Sequence, residues 1–200
     1  KLKSNSLTFY RLDSGKLVVL SAPSGSGKTS LVKELLKEKL NLGFSVSATS
    51  RAPRRKEKNN LDYYFLSHDE FVEKINGNAF LEYEEVYEGT FYGTLKSEIK
   101  KIWESGKHVL FDIDVYGGIK IKTQYPKNTL SIFVMPPSIK ELEIRLRKRG
   151  TESEEKIKYR LNKSAEELSL SKKFDVVIIN DDFIVTKNKL IEIVNEFIKS

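Results

Sequence analysis

The ten residues SAPSGSGKTS, numbered 21–30, follow the apolar run LVVL and close with Gly27, Lys28 and Thr29. Glycine, lysine and a hydroxyl residue in that order end the phosphate-binding pattern G-x-x-x-x-G-K-[ST]. Ala22 stands where the pattern has its first glycine. Pro23 explains the exchange: a residue before proline is driven into the extended region. Ala22 therefore ends the strand at negative φ and needs no glycine. Gly25 and Gly27 remain where the chain must wrap around anionic oxygens. Their N–H groups, with those opening a helix at Lys28, form an anion nest. Lys28 adds a mobile positive charge, and the Thr29 hydroxyl is a hard oxygen ligand of the kind Mg²⁺ accepts.

Further along lie other groups suited to anions and to polar edges. Arg51, Arg54 and Arg55 sit in the polar loop SRAPRRKEKNN. An arginine fork donates two parallel hydrogen bonds to a phosphate, although a solvated basic loop would read the same way. Glu82, Glu84, Glu85 and Glu88 crowd one alternating segment, and spacing alone does not choose among them. Asp112 and Asp114 close the apolar run HVLF. In parallel sheets ligands bind beyond the carboxyl ends of strands, so Asp112 is a candidate partner of Mg²⁺ through water, working with Thr29. Arg145 and Arg149 are four apart and share a helix face.

Elements must hold these residues in place. Leu17–Leu20 reads as a buried strand and Lys28–Leu40 as a helix. Phe44–Ala48 reads as a second strand and residues 63–66 as a third. A short helix spans His68–Asn76, and alternation predicts a strand over 79–87. GTFYGT reads as turn, followed by a helix over Leu95–Glu104. Residues 108–114 and 130–135 are apolar strands, with helix over 116–125 between them. Pro136 and Pro137 stop the second of these. Ser138 then caps a helix, with Glu141 three residues on, that ends near Arg149. Thr151 or Ser153 caps the next helix. FDVVIIN is the last strand, and 183–198 is a closing amphipathic helix. Strands that alternate with helices and are apolar along their length predict a mostly parallel sheet covered on both faces. The alternation breaks between about 50 and 105, which marks an inserted mixed lobe.

Composition sets the class. The chain has 200 residues, 39% hydrophobic and 32% charged, which suits one globular domain rather than a disordered chain. No cysteine is present, so disulfides and thiolate metal sites are excluded. No apolar run approaches the roughly 20 residues of a membrane span, and no signal-peptide pattern is visible. The expectation is a cytoplasmic protein that contacts no membrane. A net charge of +7 favours anionic partners. Nucleic acid is not expected among them, because no RNA-binding aromatic motif occurs.

Taken together, SAPSGSGKTS, SVSATSRAPRRKE, DYYFLSHDEF, FLEYEEVYEGTFYGT, HVLFDID, SIFVMPPSIKELEIRLRKRGTESEE and VVIINDD resemble guanylate kinases, in the family's order, from about Gly15 onward. The resemblance implies a three-layer α/β phosphate-loop kinase fold, with an inserted mixed α/β lobe and a helical lid. It divides the chain into a tail over 1–15, a core over 16–48 and 106–200, a GMP-binding lobe over 49–105 and a lid over about 145–165. It assigns ATP to Ala22, Pro23, Ser24, Gly25, Ser26, Gly27, Lys28, Thr29, Ser30 and Asn180. GMP phosphate would meet Arg51, Arg54, Tyr63 and Tyr92. Guanine would meet Ser47, Glu82, Thr94 and Asp114. Lys28, Arg51, Arg145, Arg149 and Arg160 would carry catalysis, with Mg²⁺ at Thr29 and Asp112. This chain has one residue more between Glu82 and Tyr92 than the commonest family pattern, which the loop at Glu88 and Gly89 would absorb. It also has Val115-Tyr116-Gly117-Gly118 where the family shows other residues, and Tyr116 has no role in the pattern.

The implied reaction is ATP + GMP → ADP + GDP, with dGMP as a second acceptor, in purine nucleotide metabolism. Transfer would be direct and in line, by a monomer or homodimer. Two alternatives stay open on sequence. One is a catalytically inactive phosphopeptide-binding module of the same fold. The other is a related phosphate-loop kinase with a different phosphorylated acceptor.

Overall fold

A computed structural model describes residues 15–54, 56–148 and 153–200. The tail expected over 1–15 lies outside them except for Gly15.

Five parallel strands form the central sheet: β1 (Leu17–Ser21), β2 (Leu42–Phe44), β7 (His108–Asp112), β8 (Thr129–Met135) and β9 (Val176–Ile179), in the order β2-β7-β1-β8-β9. β1 is central and buried at every residue, which is why it reads as a continuous apolar run rather than an alternating one. Successive side chains still point to opposite faces. Val18 and Leu20 pack with Leu31, Val32 and Leu35 of α1 (Lys28–Leu35) and with Leu190 and Val194 of α7 (Phe183–Lys199). Leu17 and Val19 pack with Ile99 and Ile102 of α3 (Lys96–Glu104) and Ile121 of α4 (Val115–Gln124). The result is helix, sheet and helix in three layers.

A second sheet of four strands holds β3 (Ala48–Thr49), β4 (Tyr64–Phe65), β5 (Phe80–Tyr87) and β6 (Thr90–Leu95), in the order β4-β3-β6-β5. It is mixed: β3 pairs parallel with β4 and antiparallel with β6, and β5 pairs antiparallel with β6. α2 (His68–Asn76) packs Phe71 beneath it, stacked on Phe80 at 4.3 Å and on Phe91 at 5.4 Å. Ser67 caps α2 in a full capping box with Glu70. Two further helices, α5 (Ile139–Lys148) and α6 (Glu154–Ser169, capped by Ser153), follow β8.

Three expectations need correction. α1 ends at Leu35, not Leu40. Past it, Lys37 and Glu38 make tight bonds to carbonyls three residues back, and Leu40 folds into the core. The stretch 44–48 is not one strand. Phe44 pairs with Leu110 in the central sheet, whereas Ala48 pairs with Tyr64 and Gly93 in the second. GTFYGT is not a turn: only Glu88 and Gly89 turn, and Thr90–Leu95 is strand β6. Antiparallel pairing with β5 supplies what its weak local signal lacks.

Candidate functional site

β1 delivers the chain to the phosphate loop at the carboxyl edge of the sheet. Gly25 and Gly27 take φ of 100° and 90°, a region that glycine alone enters freely. Space is short as well. A Cβ on Gly27 would lie 2.4 Å from Asn180 Nδ2, and one on Gly25 would lie 2.9 Å from Leu142. Asn180, at the end of β9, donates from Nδ2 to the Ser26 carbonyl at 2.7 Å and so braces the loop. Ser26 Oγ and Asn180 Oδ1 are buried without a partner. Ser30 and Leu31 donate backbone N–H to the Gly27 carbonyl, opening α1.

Asp112, the last residue of β7, joins the key groups of the loop. Its Oδ1 lies 2.5 Å from Lys28 Nζ, and its Oδ2 accepts from the Thr29 hydroxyl at 3.1 Å. Lys28 also donates to the Ile113 carbonyl at 2.7 Å. Arg160 of α6 donates to Ser24 Oγ at 2.5 Å. Arg145 of α5 donates to Glu141 at 2.9 Å and to the Asn180 carbonyl at 3.2 Å. Beside the loop lies a cavity of about 450 Å³ lined by Gly25, Gly27, Ser30, Arg145, Asn180, Asp181 and Phe183. Sequence reasoning missed Asp181 and Phe183. Their position just past the carboxyl end of β9 was the available signal. Arg55 and Arg149 lie outside the described residues.

The second basin is assembled from distant segments. Arg51 donates from Nε to Tyr92 Oη at 3.0 Å, and its guanidinium lies 4.9 Å over the Tyr63 ring. The Arg54 side chain is exposed in the same loop. Ser47 accepts the Tyr64 N–H on its carbonyl at 2.9 Å. Glu82 of β5 pairs in register with Thr94 of β6, and the Thr94 hydroxyl donates to Glu82 Oε1 at 2.7 Å. The register shifts on either side of this stretch, between Phe80 and Glu82 and again between Glu85 and Tyr87, ahead of the turn at Gly89. Asp114 caps α4, accepting the Gly117 N–H on Oδ1 at 2.9 Å. Gly117 lets that turn approach closely: a Cβ there would lie 3.0 Å from Glu82 Oε2 and 3.3 Å from Asp114 Oδ2. The two carboxylates therefore share one space.

Burial pushes the Glu82 carboxyl up to about 7. The Thr94 hydroxyl opposes this shift, and the nearby Asp114 charge adds to it. Burial and Asp114 also push Glu84 up to about 7, and burial does the same to Glu167 of α6. Of the four acids in the segment, Glu82 is buried, Glu84 is half-buried, and Glu85 and Glu88 are exposed. Glu167 gave no signal in the sequence. Tyr116 gains a contact: its hydroxyl donates to Glu166, tying α4 to α6, and this pushes the pKa of the phenol up to about 12. The two basins adjoin. Glu167 feels the charges of both Lys28 and Asp114, and Tyr63 feels that of Asp112.

An anion nest beside an arginine-lined basin, on one edge of a parallel sheet, is the layout of a phosphate-loop phosphotransferase. Comparison with known proteins narrows that class. The guanylate kinase family model matches residues 14–199. A guanylate kinase of Bacteroides fragilis is 49% identical over 191 residues, covering 96% of this chain and 94% of that protein. One from Porphyromonas gingivalis is 48% identical over 184 residues, covering 92% and 98%. The crystal structure of guanylate kinase from Anaplasma phagocytophilum superposes with a TM-score of 0.75 at 32% identity, over 94% of this chain and 88% of that one. The chain belongs to the guanylate kinase family.

Proposed function

We propose that the two basins hold the two substrates of one reaction, transfer of the γ-phosphoryl group of ATP to GMP, giving ADP and GDP. Family membership supports the reaction. The assignment of groups rests on one observation: the anion nest with Lys28 adjoins the basin of Arg51, Tyr63, Tyr92, Glu82 and Asp114.

In this reading, residues 22–30 wrap the ATP phosphates. Lys28 leaves Asp112 to meet their charge. Asn180 and Arg145 border the adenine, with Phe183 as an apolar wall. Arg51, Arg54, Tyr63 and Tyr92 bind the acceptor phosphate. Ser47, Glu82, Thr94 and Asp114 read guanine, whose pairing edge presents N–H donors to acceptor carboxylates. Arg145, Arg149 and Arg160 stabilise charge as it shifts between phosphates. Residues 49–105 form the acceptor lobe and about 145–165 the lid. No general base is required, because the attacking oxygen is already ionised. Catalysis is positioning and electrostatic stabilisation.

Mg²⁺ fits the same place. Asp112 and Thr29 are hard oxygen donors bonded to each other at the mouth of the loop. Among the described residues no group of three His, Cys, Asp or Glu side chains could hold a metal. A site with few protein ligands suits an ion that keeps its waters and takes phosphate oxygens. When bound, Mg²⁺ neutralises charge on the β- and γ-phosphates. The setting this reading implies is a cytoplasmic enzyme of purine nucleotide metabolism, and no described helix is long and apolar enough to cross a membrane.

A coupled ADP-release assay over GMP, dGMP, AMP, CMP and UMP tests the reaction. Turnover confined to GMP and dGMP is expected; equal turnover of AMP would overturn the guanine assignment. Arg160→Ala should lower kcat more than it raises KM for GMP, since an interaction made in the transition state appears in kcat.

A further inference from the structure

One carboxylate in the acceptor basin has no part in the reaction as described. Glu57 lies six residues after Arg51. Its Oε2 accepts from Arg51 Nη1 and its Oε1 from Nη2, each at 2.7 Å. Oε2 also accepts the Arg54 backbone N–H at 2.8 Å, and the Glu57 N–H donates back to the Arg54 carbonyl at 2.9 Å. Arg51 Nη1 donates to the Ala52 carbonyl at 2.9 Å as well. A guanidinium has five N–H donors; Nε, both of Nη1 and one of Nη2 are engaged. A single Nη2 N–H is left for a ligand. The Tyr92 hydroxyl, having accepted from Nε, keeps its own proton to give.

We propose that Glu57 is a positioning residue for the acceptor phosphate. It holds Arg51 in one orientation over Tyr63, so that the last Nη2 N–H and the Tyr92 hydroxyl serve one anion, and it bonds to the Arg54 backbone so that Arg54 flanks them. The inference rests on the acceptor reading above. Its physical content is preorganisation: the rotamer freedom of Arg51 is lost before the ligand arrives, so binding does not have to remove it. The Arg51 hydrogen bonds hold the Glu57 carboxyl well below the usual carboxylate range, at about 2. The device is therefore charged, and unchanging, at any working pH.

Steady-state kinetics of Glu57→Gln and Glu57→Asp, alone and with Arg51→Ala, test it. Glu57→Gln should raise KM for GMP by about tenfold, with kcat and KM for ATP within about threefold of wild type. The factor should be the same from pH 6 to 9. Glu57→Asp, which keeps the charge, should recover part of the loss. In the Arg51→Ala background Glu57→Gln should cost almost nothing more, because coupled groups are non-additive. A lower KM for GMP would mean that Glu57 competes with the phosphate, and would overturn the proposal. Equal losses for GMP and ATP with a lowered Tm would reduce Glu57 to a structural residue. Wild-type turnover of GMP with an unchanged Glu57→Gln enzyme sinks this assignment alone. A wild type that does not turn over GMP sinks the acceptor reading and this assignment with it.

Discussion

The phosphate loop and the acceptor basin differ in how they are built. The loop is nine consecutive residues, 22–30, whose shape follows from two glycines at positive φ and from the start of α1. Tertiary structure adds braces: Asn180 on Ser26, Arg160 on Ser24, Asp112 on Lys28 and Thr29. The basin has no such local frame. Arg51, Tyr92, Glu82 and Asp114 come from a loop, two antiparallel strands and a helix N-terminus, and each is oriented by a residue far off in sequence or across a turn. A site written in consecutive residues tolerates little change in backbone geometry. A site assembled from several elements is sensitive to every partner that orients it.

Experiments on both sites sharpen the contrast. The largest effect expected is discrimination by the wild-type protein. Adenine has a lone pair and no 2-amino group where guanine has donors, so the carboxylate oxygens of Glu82 and Asp114 not already bonded to Thr94 and Gly117 would lack a donor. Sites of this kind reject the wrong ligand by about 10⁴–10⁵, so kcat/KM for AMP should fall below that for GMP by this order.

Lys28→Ala comes next. Removing preorganised positive charge from a transferring phosphoryl group should cost about 10³ in kcat, and Tm should fall as well, because Lys28 is largely buried and its loss leaves Asp112 without its ion pair. Single-turnover assays beside a thermal melt separate these outcomes, and retained turnover would remove the phosphate-loop reading.

Arg54→Ala should weaken GMP binding and spare ATP, by about 1.5–3 kcal/mol for a lost charge-assisted bond. Titration calorimetry with each nucleotide checks it; equal losses would mean that the two basins are not separate sites.

Glu82→Gln should lower kcat/KM for GMP by at least about tenfold, or 1.4 kcal/mol. It should also change the pH profile. Burial pushes Glu82 up to about 7, and in the proposed complex its protonated form would turn an O–H toward guanine's donors. Wild-type kcat/KM should therefore rise with pH to a plateau above about 7. In Glu82→Gln the rise that remains should follow only the GMP phosphate, whose second pKa is about 6. Stability runs the other way. Between the ordinary Glu value of 4.5 and about 7, the folded chain keeps protons that the unfolded chain has released. Tm should therefore fall as pH rises through that window and level off above it. Glu82→Gln should flatten part of the slope, with Glu84 and Glu167 carrying the rest.

The smallest effect belongs to Ser67→Ala, which removes the α2 cap beneath the acceptor lobe. It should cost about 1 kcal/mol of stability and leave ATP binding untouched, as denaturant melts and calorimetry would register.

Much of the fold was legible because its signals are local. β1, β7 and β8 announce themselves as largely apolar runs, a consequence of burial on both faces. α2 matches its expected span, His68–Asn76, because Ser67 and Glu70 fix its start and Gly77 its end. The Ala22-Pro23 step and Gly27-Lys28-Thr29 carry the loop by backbone sterics alone. What eluded the sequence is non-local. Nothing within residues 44–48 says that the chain leaves one sheet and enters another, because that choice lies with Leu110, Tyr64 and Gly93. Nothing within GTFYGT outweighs its turn residues until β5 pairs with it. Spacing alone does not choose Glu82 among its acidic neighbours; the family resemblance does, and the pairing of Glu82 with Thr94 and the close approach of Gly117 give that choice its geometry. Only the folded arginine loop reveals that Glu57 engages Arg51. Local sterics, caps and hydrophobic runs depend on neighbours in sequence, and so the sequence determines them by itself. Which carboxylate is desolvated, and which way an arginine points, depends on surfaces brought together from far along the chain, and only the tertiary structure decides that.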